Sequence, residues 1–157
     1  MRILGIDPGL STAGLGLIDV DGKRNMKALD WLTIEIPIAL PLEDRLCELG
    51  SDLEEYIKES KPDLAVVEQL FFATNKKSAI EIAHARGVIL LILKRYNIDV
   101  LHATPLQLKS AITGDGRADK KQMQSMVQRI LKLKEIPTPA DAADALGLAI
   151  YGANRKI

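Results

Sequence analysis

Residues 1–36 read MRILGIDPGLSTAGLGLIDVDGKRNMKALDWLTIEI, and the order of strands in this stretch decides the fold class. Arg2 to Asp7 (RILGID) is a short apolar run that ends in an acid and meets the breaker pair Pro8-Gly9. That is the pattern of a buried strand and a turn. Gly14 to Val20 has strand character, and Asp21-Gly22 is a strong hairpin signal. Lys27 to Ile36, with Trp31, Thr33 and Ile34, returns as a third strand. The opening therefore predicts a three-strand antiparallel meander.

Outward from the meander the pattern changes period. Leu42, Leu46, Leu49, Leu53, Tyr56 and Ile57 recur at three- and four-residue steps between Pro41 and Lys58, which predicts an amphipathic helix. Leu64 to Glu68 (LAVVE) is a compact apolar strand that again ends in an acid. Asn75 stands where it can cap a helix from Lys76 to Tyr96, whose apolar residues spread widely around its axis. Such a helix is deeply buried or partly a subunit interface. Ile98 to Ala103 is a fifth strand. Thr104-Pro105 opens a short helix to about Ile112, with Pro105 suited to the first helical position. Gly114-Asp115-Gly116 is a flexible loop, and Asp119 opens a helix to about Lys132. Pro137-Thr138-Pro139 is a rigid spacer before a small-residue helix, Ala140 to Ala153, able to pack closely on a neighbour. A meander followed by alternating helices and strands implies an α/β protein, a mixed five-stranded sheet with helices on both faces. No repeat or linker interrupts it, so residues 1–157 are expected to form one domain.

Composition excludes several function classes. The 157 residues are 47% apolar, enough for a substantial core. No apolar run approaches the roughly 20 residues of a membrane span, and Met1 to Gly5 leads directly into a strand rather than a signal-peptide core. The single cysteine, Cys47, excludes an internal disulfide and a cysteine-built zinc site. On its helix it is expected to be a small core or boundary residue. A soluble intracellular protein is the expectation. Formal net charge is zero, which excludes a uniformly basic coat for nucleic acid, but the zero is uneven. Residues 1–74 carry net −7, residues 75–134 net +8 and residues 135–157 net −1. A strongly cationic middle is a hint of nucleic-acid contact, although a lysine-rich solvated helix face gives the same count.

The acids carry the chemistry. Asp7 and Glu68 both terminate buried strands, and reactive groups in α/β sheets gather at strand ends. A carboxylate there is costly without a partner, and a metal cation is the obvious one. Asp141 and Asp144 lie three apart near the start of the last helix, on one face of it. Each acid alone has an ordinary explanation as a cap or a strand end. Four carboxylates with no Cys–His set make an all-oxygen site, suited to Mg²⁺, with Mn²⁺ as a substitute, rather than zinc. Two ions in such a site clamp the attacking and leaving oxygens of an in-line phosphoryl displacement.

Four ordered blocks are similar to one family. They are ILGIDPGLSTAGLGLID, VVEQLFFATNKKSAIEIAHARGVIL, LQLKSAITGDGRADKKQMQSMVQRIL and PADAADALGLAI, which together span nearly the whole chain. They resemble the RuvC Holliday-junction resolvases. The resemblance implies an RNase H-like fold and a bacterial, cytoplasmic homodimer. It further implies metal-assisted cutting of four-way DNA junctions in recombination and repair, alongside a RuvA–RuvB branch-migration complex. It places the family's acidic tetrad on Asp7, Glu68, Asp141 and Asp144, an all-carboxylate set where some relatives have a histidine at the third position. It places the family's junction-centre aromatic on Phe71, and the lysines tied to DNA binding or cleavage on Lys109 and Lys120.

The residues themselves add to this. Phe71 and Phe72 are the only phenylalanines and sit side by side, so at least one is available to stack on a base. Lys76 and Lys77 follow them, and Arg117, Lys120 and Lys121 flank the Gly114–Gly116 loop, where glycines admit a phosphate closely. With Lys109, these are the candidate phosphate contacts, and such contacts give affinity without sequence information. Ser125 and Arg129 are further candidates on the following helix. His84 and His102 read as structural residues. Ile80, Ala83, Gly87 and Leu91 form one stripe, the best candidate for a dimer contact. Two other readings are open: an actin-like phosphotransferase, for which Asp7-Pro8-Gly9 with Gly14 and Gly16 resembles a phosphate hairpin, and a DNA-binding scaffold without catalysis.

Overall fold

The computed structural model describes residues 1–69 and 76–156. Its strands are β1 (Arg2–Asp7), β2 (Thr12–Val20), β3 (Met26–Glu35), β4 (Leu64–Glu68) and β5 (Asp99–Ala103). Its helices are α1 (Leu42–Ser60), α2 (Lys76–Arg95), α3 (Pro105–Thr113), α4 (Lys120–Ile130) and α5 (Ala140–Lys156). The strands form one sheet in the order β3-β2-β1-β4-β5. The meander β1-β2-β3 is antiparallel, and β4 and β5 add in parallel to β1's other side. This is the mixed sheet expected from the strand order.

Alternation along the central strands builds a core on each face. Ile3, Ile18, Leu64 and Val66 meet α3, α4 and α5 through Leu108, Ile112, Met123, Val127 and Leu146. Leu4, Ile6, Leu15, Ala65 and Val67 meet α1 and α2 through Leu49, Leu53, Ile57, Ile89 and Leu93. Both faces of β1 are covered, which is why its sequence is continuously apolar from Ile3 to Ile6 and not alternating.

The helix starts follow the sequence closely. Thr104 and Gln107 form a reciprocal capping box with Pro105 at the first position of α3, and Asp119 with Gln122 does the same for α4. Gly114 ends α3 in the left-handed conformation, φ 79°. Several expectations are corrected. The hairpin signalled by Asp21-Gly22 is present, β2 and β3 being antiparallel, but its turn is wider than a two-residue loop. Asp21 instead accepts hydrogen bonds from the Lys23 and Asn25 main chain and the Asn25 amide, and Arg24 takes the positive φ. The wider turn is closed by the aspartate side chain, so glycine's freedom is not used there. Cys47 is exposed rather than at a core boundary, because the buried stripe of α1 runs through Leu49, Leu53 and Ile57. The last helix continues to Lys156 beyond the expected Ala153, with the Arg155 guanidinium over the Tyr151 ring at 5.4 Å. No helix among the described residues is long and apolar enough to cross a membrane.

Candidate active site

Two neighbouring parallel strands end in acids. β1 ends at Asp7 and β4 at Glu68, with Ile6 facing Val67 across the ladder, so both carboxylates leave the same edge of the sheet. Asp141 and Asp144, near the start of α5, come to this edge because α5 lies directly on β1 and β2. Asp7 pairs with Gly14 on β2, and Gly14 lies against the main chain of Asp141. A Cβ built on Gly14 would overlap the Asp141 carbonyl, and one on Gly5 would overlap that of Ala145. Only hydrogen in place of a side chain permits this approach.

The outcome is a compact acid cluster. One carboxylate oxygen from each of Asp7, Asp141 and Asp144 lies within 4.8 Å of the others, and all three residues are half-buried. Opposite oxygens around a six-coordinate Mg²⁺ stand about 4.2 Å apart, close to this spread. Glu68 lies outside that mutual reach but adjoins the cluster through a hydrogen bond with Asp7. The acids strain one another's charge. Burial first, then the charges of Glu68, Asp144 and Asp141, push the Asp7 carboxyl from the usual 3.8 up to about 8. Burial and the Asp144 charge raise Glu68. Burial also raises Asp144, which Lys120 pulls down and Asp141 pushes up. Like charges crowded and partly buried at one edge are the condition a divalent cation relieves.

A pH dependence follows from the sign of these shifts. A carboxyl raised in the folded state binds its proton more tightly folded than unfolded, so metal-free stability falls as pH rises from about 4 to about 8. A divalent ion binds the deprotonated set, so its stabilising effect grows across the same window. Melting temperatures with and without Mg²⁺ are expected to diverge steadily with rising pH. A metal-induced shift of constant size across the window would contradict the clustering.

The basic residues divide into three groups. Lys109 on α3 and Lys120 at the start of α4 face the acids, and both pull down the carboxyls of Glu68 and Asp144. Lys121 lines a groove of about 440 Å³ between α3 and α4 with Gln122, Ser125 and Arg129. Arg117 is exposed at the head of that groove, its main-chain N–H on Asp115 Oδ1. Lys76 and Lys77 are exposed on α2, in the opposite helical layer. The fold thus brings Lys109 and Lys120 to the acids and leaves the rest along two flanks. Phe71 and Phe72, and the capping position Asn75, lie outside the described residues.

Two arginines hold this edge from the α1–α2 layer. Arg45, buried on α1, donates from Nη2 to Ser11 Oγ at 2.9 Å, just past the Asp7 turn. Arg86 on α2 donates from Nε to the Glu68 carbonyl at 3.1 Å and from Nη2 to His102 Nδ1 at 2.6 Å. Burial, then the Arg86 cation, hold the His102 imidazole below its ordinary value, which suits an acceptor at Nδ1. His102 is therefore structural, as its sequence context suggests. Neither arginine stands out in the sequence, because a basic residue within an amphipathic run reads as solvated surface.

Residues 3–152 match the family model described as "Crossover junction endodeoxyribonuclease RuvC". Proteins of that name from Alkaliphilus oremlandii and Desulfitobacterium hafniense are 44% and 46% identical over 154 residues, covering 98% of this chain and 93% of each relative. The Thermus thermophilus RuvC solved in complex with a Holliday junction substrate is 29% identical, with a TM-score of 0.87 over 98% of this chain and 93% of that one. A yeast mitochondrial Holliday junction resolvase shares the fold at 13% identity, with a TM-score of 0.71.

Proposed function

The chain belongs to the RuvC family of crossover junction endodeoxyribonucleases, and from that premise we propose that it resolves four-way DNA junctions by paired, metal-assisted phosphodiester hydrolysis. The carrying observation is the clustering of Asp7, Asp141 and Asp144 within 4.8 Å, with Glu68 bonded to Asp7 and lysines on the rim. It acts as one RNase H-like nuclease unit on the bacterial chromosome, in the cytoplasm.

Asp7, Glu68, Asp141 and Asp144 are the metal-holding acids. Their all-oxygen donor set and shared excess of charge fit Mg²⁺, with Mn²⁺ as a substitute and two ions per site. When bound, such ions supply the positive charge that makes water a nucleophile at neutral pH and stabilises the departing oxygen. The chain's own part is to hold four carboxylates on one rigid edge, so that no reorganisation is needed as charge develops. Lys109 and Lys120 offset the charge of the scissile phosphate. The water oxygen bonds to phosphorus and gives up a proton to solvent, the bond from phosphorus to the 3′ oxygen breaks, and that oxygen takes up a proton from solvent. Arg117, Lys121, Lys76 and Lys77 contact phosphates of the junction arms, and Phe71 and Phe72 stack at its centre.

Incubation of a synthetic four-way junction with the protein and Mg²⁺ tests this reading. Paired symmetric nicks are expected, and equal digestion of a linear duplex would contradict it. Symmetric nicks require two sites related by a two-fold axis, and α2 offers the surface for a homodimer. Ala83, His84 and Gly87 are exposed there, between Ile80 at 59% and Leu91 at 58% exposure. Leu91→Asp is expected to convert the dimer to a monomer in sedimentation while the monomer keeps its fold. An unchanged sedimentation coefficient would exclude this face. The RuvA–RuvB complex is the proposed partner in branch migration.

A further inference from the structure

We infer that Arg86 is a positioning residue for the metal-holding site, fixing the main chain of Glu68 and through it the Glu68 carboxylate beside Asp7. The inference rests on the proposed role of Glu68 as one of the four acids.

The local hydrogen bonding explains why an arginine is needed. Glu68 is the last residue of β4, and its ladder with β1 has already ended at Ile6 and Val67. Continued pairing toward β1 would require a donor at position 8, which is proline and has no N–H. Toward β5 the ladder runs on through the Gln69 N–H, which donates to the Ala103 carbonyl at 2.7 Å, so the Glu68 carbonyl is turned to the β1 side. With proline at position 8, β1 cannot supply the next ladder donor to the Glu68 carbonyl. Arg86 Nε supplies one at 3.1 Å, and Arg86 Nη2 is anchored on His102 Nδ1 of β5 at 2.6 Å.

The guanidinium is rigid and planar, so a fork anchored at one prong fixes the other. It ties the end of β4, where pairing with β1 stops, to His102 of β5, and Glu68 stands at that end. The residues on either side of Arg86 add a connection to α2. Ala85 is fully buried, and Gly87 is exposed on the stripe proposed for the dimer. Arg86 therefore joins that helix directly to the strand end bearing the acid.

Binding of Mn²⁺ to the DNA-free protein, followed by the loss of the free-ion paramagnetic resonance signal, tests the inference without turnover. Arg86→Met is expected to weaken Mn²⁺ binding roughly ten- to a hundredfold, the range for residues that orient a metal ligand. Arg86→Lys keeps one donor but cannot span both acceptors, so it should fall between the parent and Arg86→Met. Junction affinity measured in Ca²⁺ should stay at the parent value, and the cleavage rate of Arg86→Met should recover toward the parent at saturating Mg²⁺. A residue serving stability alone would lower the melting temperature and leave the Mn²⁺ affinity of the folded fraction unchanged.

Mn²⁺ affinity equal to the parent in both variants overturns the inference. Should Arg86→Met fail to fold, parent-like affinity in Arg86→Lys overturns it alone. Asp7→Asn run in parallel separates the two layers. If Asp7→Asn also binds Mn²⁺ like the parent, the four-acid reading fails. If Asp7→Asn loses binding and the Arg86 variants do not, only the role of Arg86 fails.

Discussion

Asp7→Asn is expected to abolish junction nicking while leaving junction binding intact. Asp7 is the member of the cluster most strongly pushed by the others, held up to about 8 by burial and by three neighbouring acids. Replacing it with a neutral amide removes an anionic donor from the centre of the set without changing its shape. The loss corresponds to several kcal/mol of stabilisation at the reacting phosphate, or roughly a thousandfold or more in rate. The same substitution should make the metal-free protein more stable at alkaline pH, because a buried charge and its repulsions disappear. A rise of a few degrees in melting temperature is expected, since 1 kcal/mol moves a domain of this size by roughly 2–4 °C. A variant that loses both nicking and stability would point to a structural role for Asp7. Retained nicking would remove Asp7 from the proposed machinery.

Gly14→Ala should damage the protein in two measurable ways. The added methyl meets the Asp141 carbonyl, and both partners are main chain, so neither can rotate aside. Overpacking of this kind costs about 1–3 kcal/mol, read as a lower denaturation midpoint. The more telling effect is on the site. The N-terminus of α5 must lift away from β2, carrying Asp141 and Asp144 from Asp7. A displacement of about 1 Å in a reacting constellation costs on the order of a hundredfold in rate. Gly22→Ala is the control, because nothing lies within 4 Å of its added carbon. It should stay within about 0.5 kcal/mol of the parent, with unchanged nicking. Equal behaviour of the two variants would mean that close packing of α5 does not set the acid geometry.

Much of the architecture is legible in the residues because local and global signals agree. The runs RILGID and LAVVE have apolar interiors and end in acids, and in the fold they are adjacent parallel strands sharing one edge. Thr104-Pro105 and Asp119 announce helices that do begin there. The less legible parts depend on distance in sequence. Asp7 and Asp141 are brought together by Gly14, whose lack of a side chain matters only once α5 is laid upon it. The small residues of α5 signal close packing but not the partner. The hairpin at Asp21 is legible but its closure is not, because an aspartate side chain, not the following glycine, closes it. Arg86 is silent in the sequence because its acceptors, the Glu68 carbonyl and His102, belong to two other strands.

The layering of α5 over the first two strands has a consequence for the living cell. A ribosome making this chain releases Asp7 early, Glu68 midway, and Asp141 with Asp144 only near the end. Until α5 settles on Gly5 and Gly14, Asp141 and Asp144 are not held beside Asp7. A fragment cut short before residue 140 lacks Asp141 and Asp144, two of the three acids that gather within 4.8 Å of one another. The proposed metal-holding site is therefore assembled last, when α5 packs onto the first two strands.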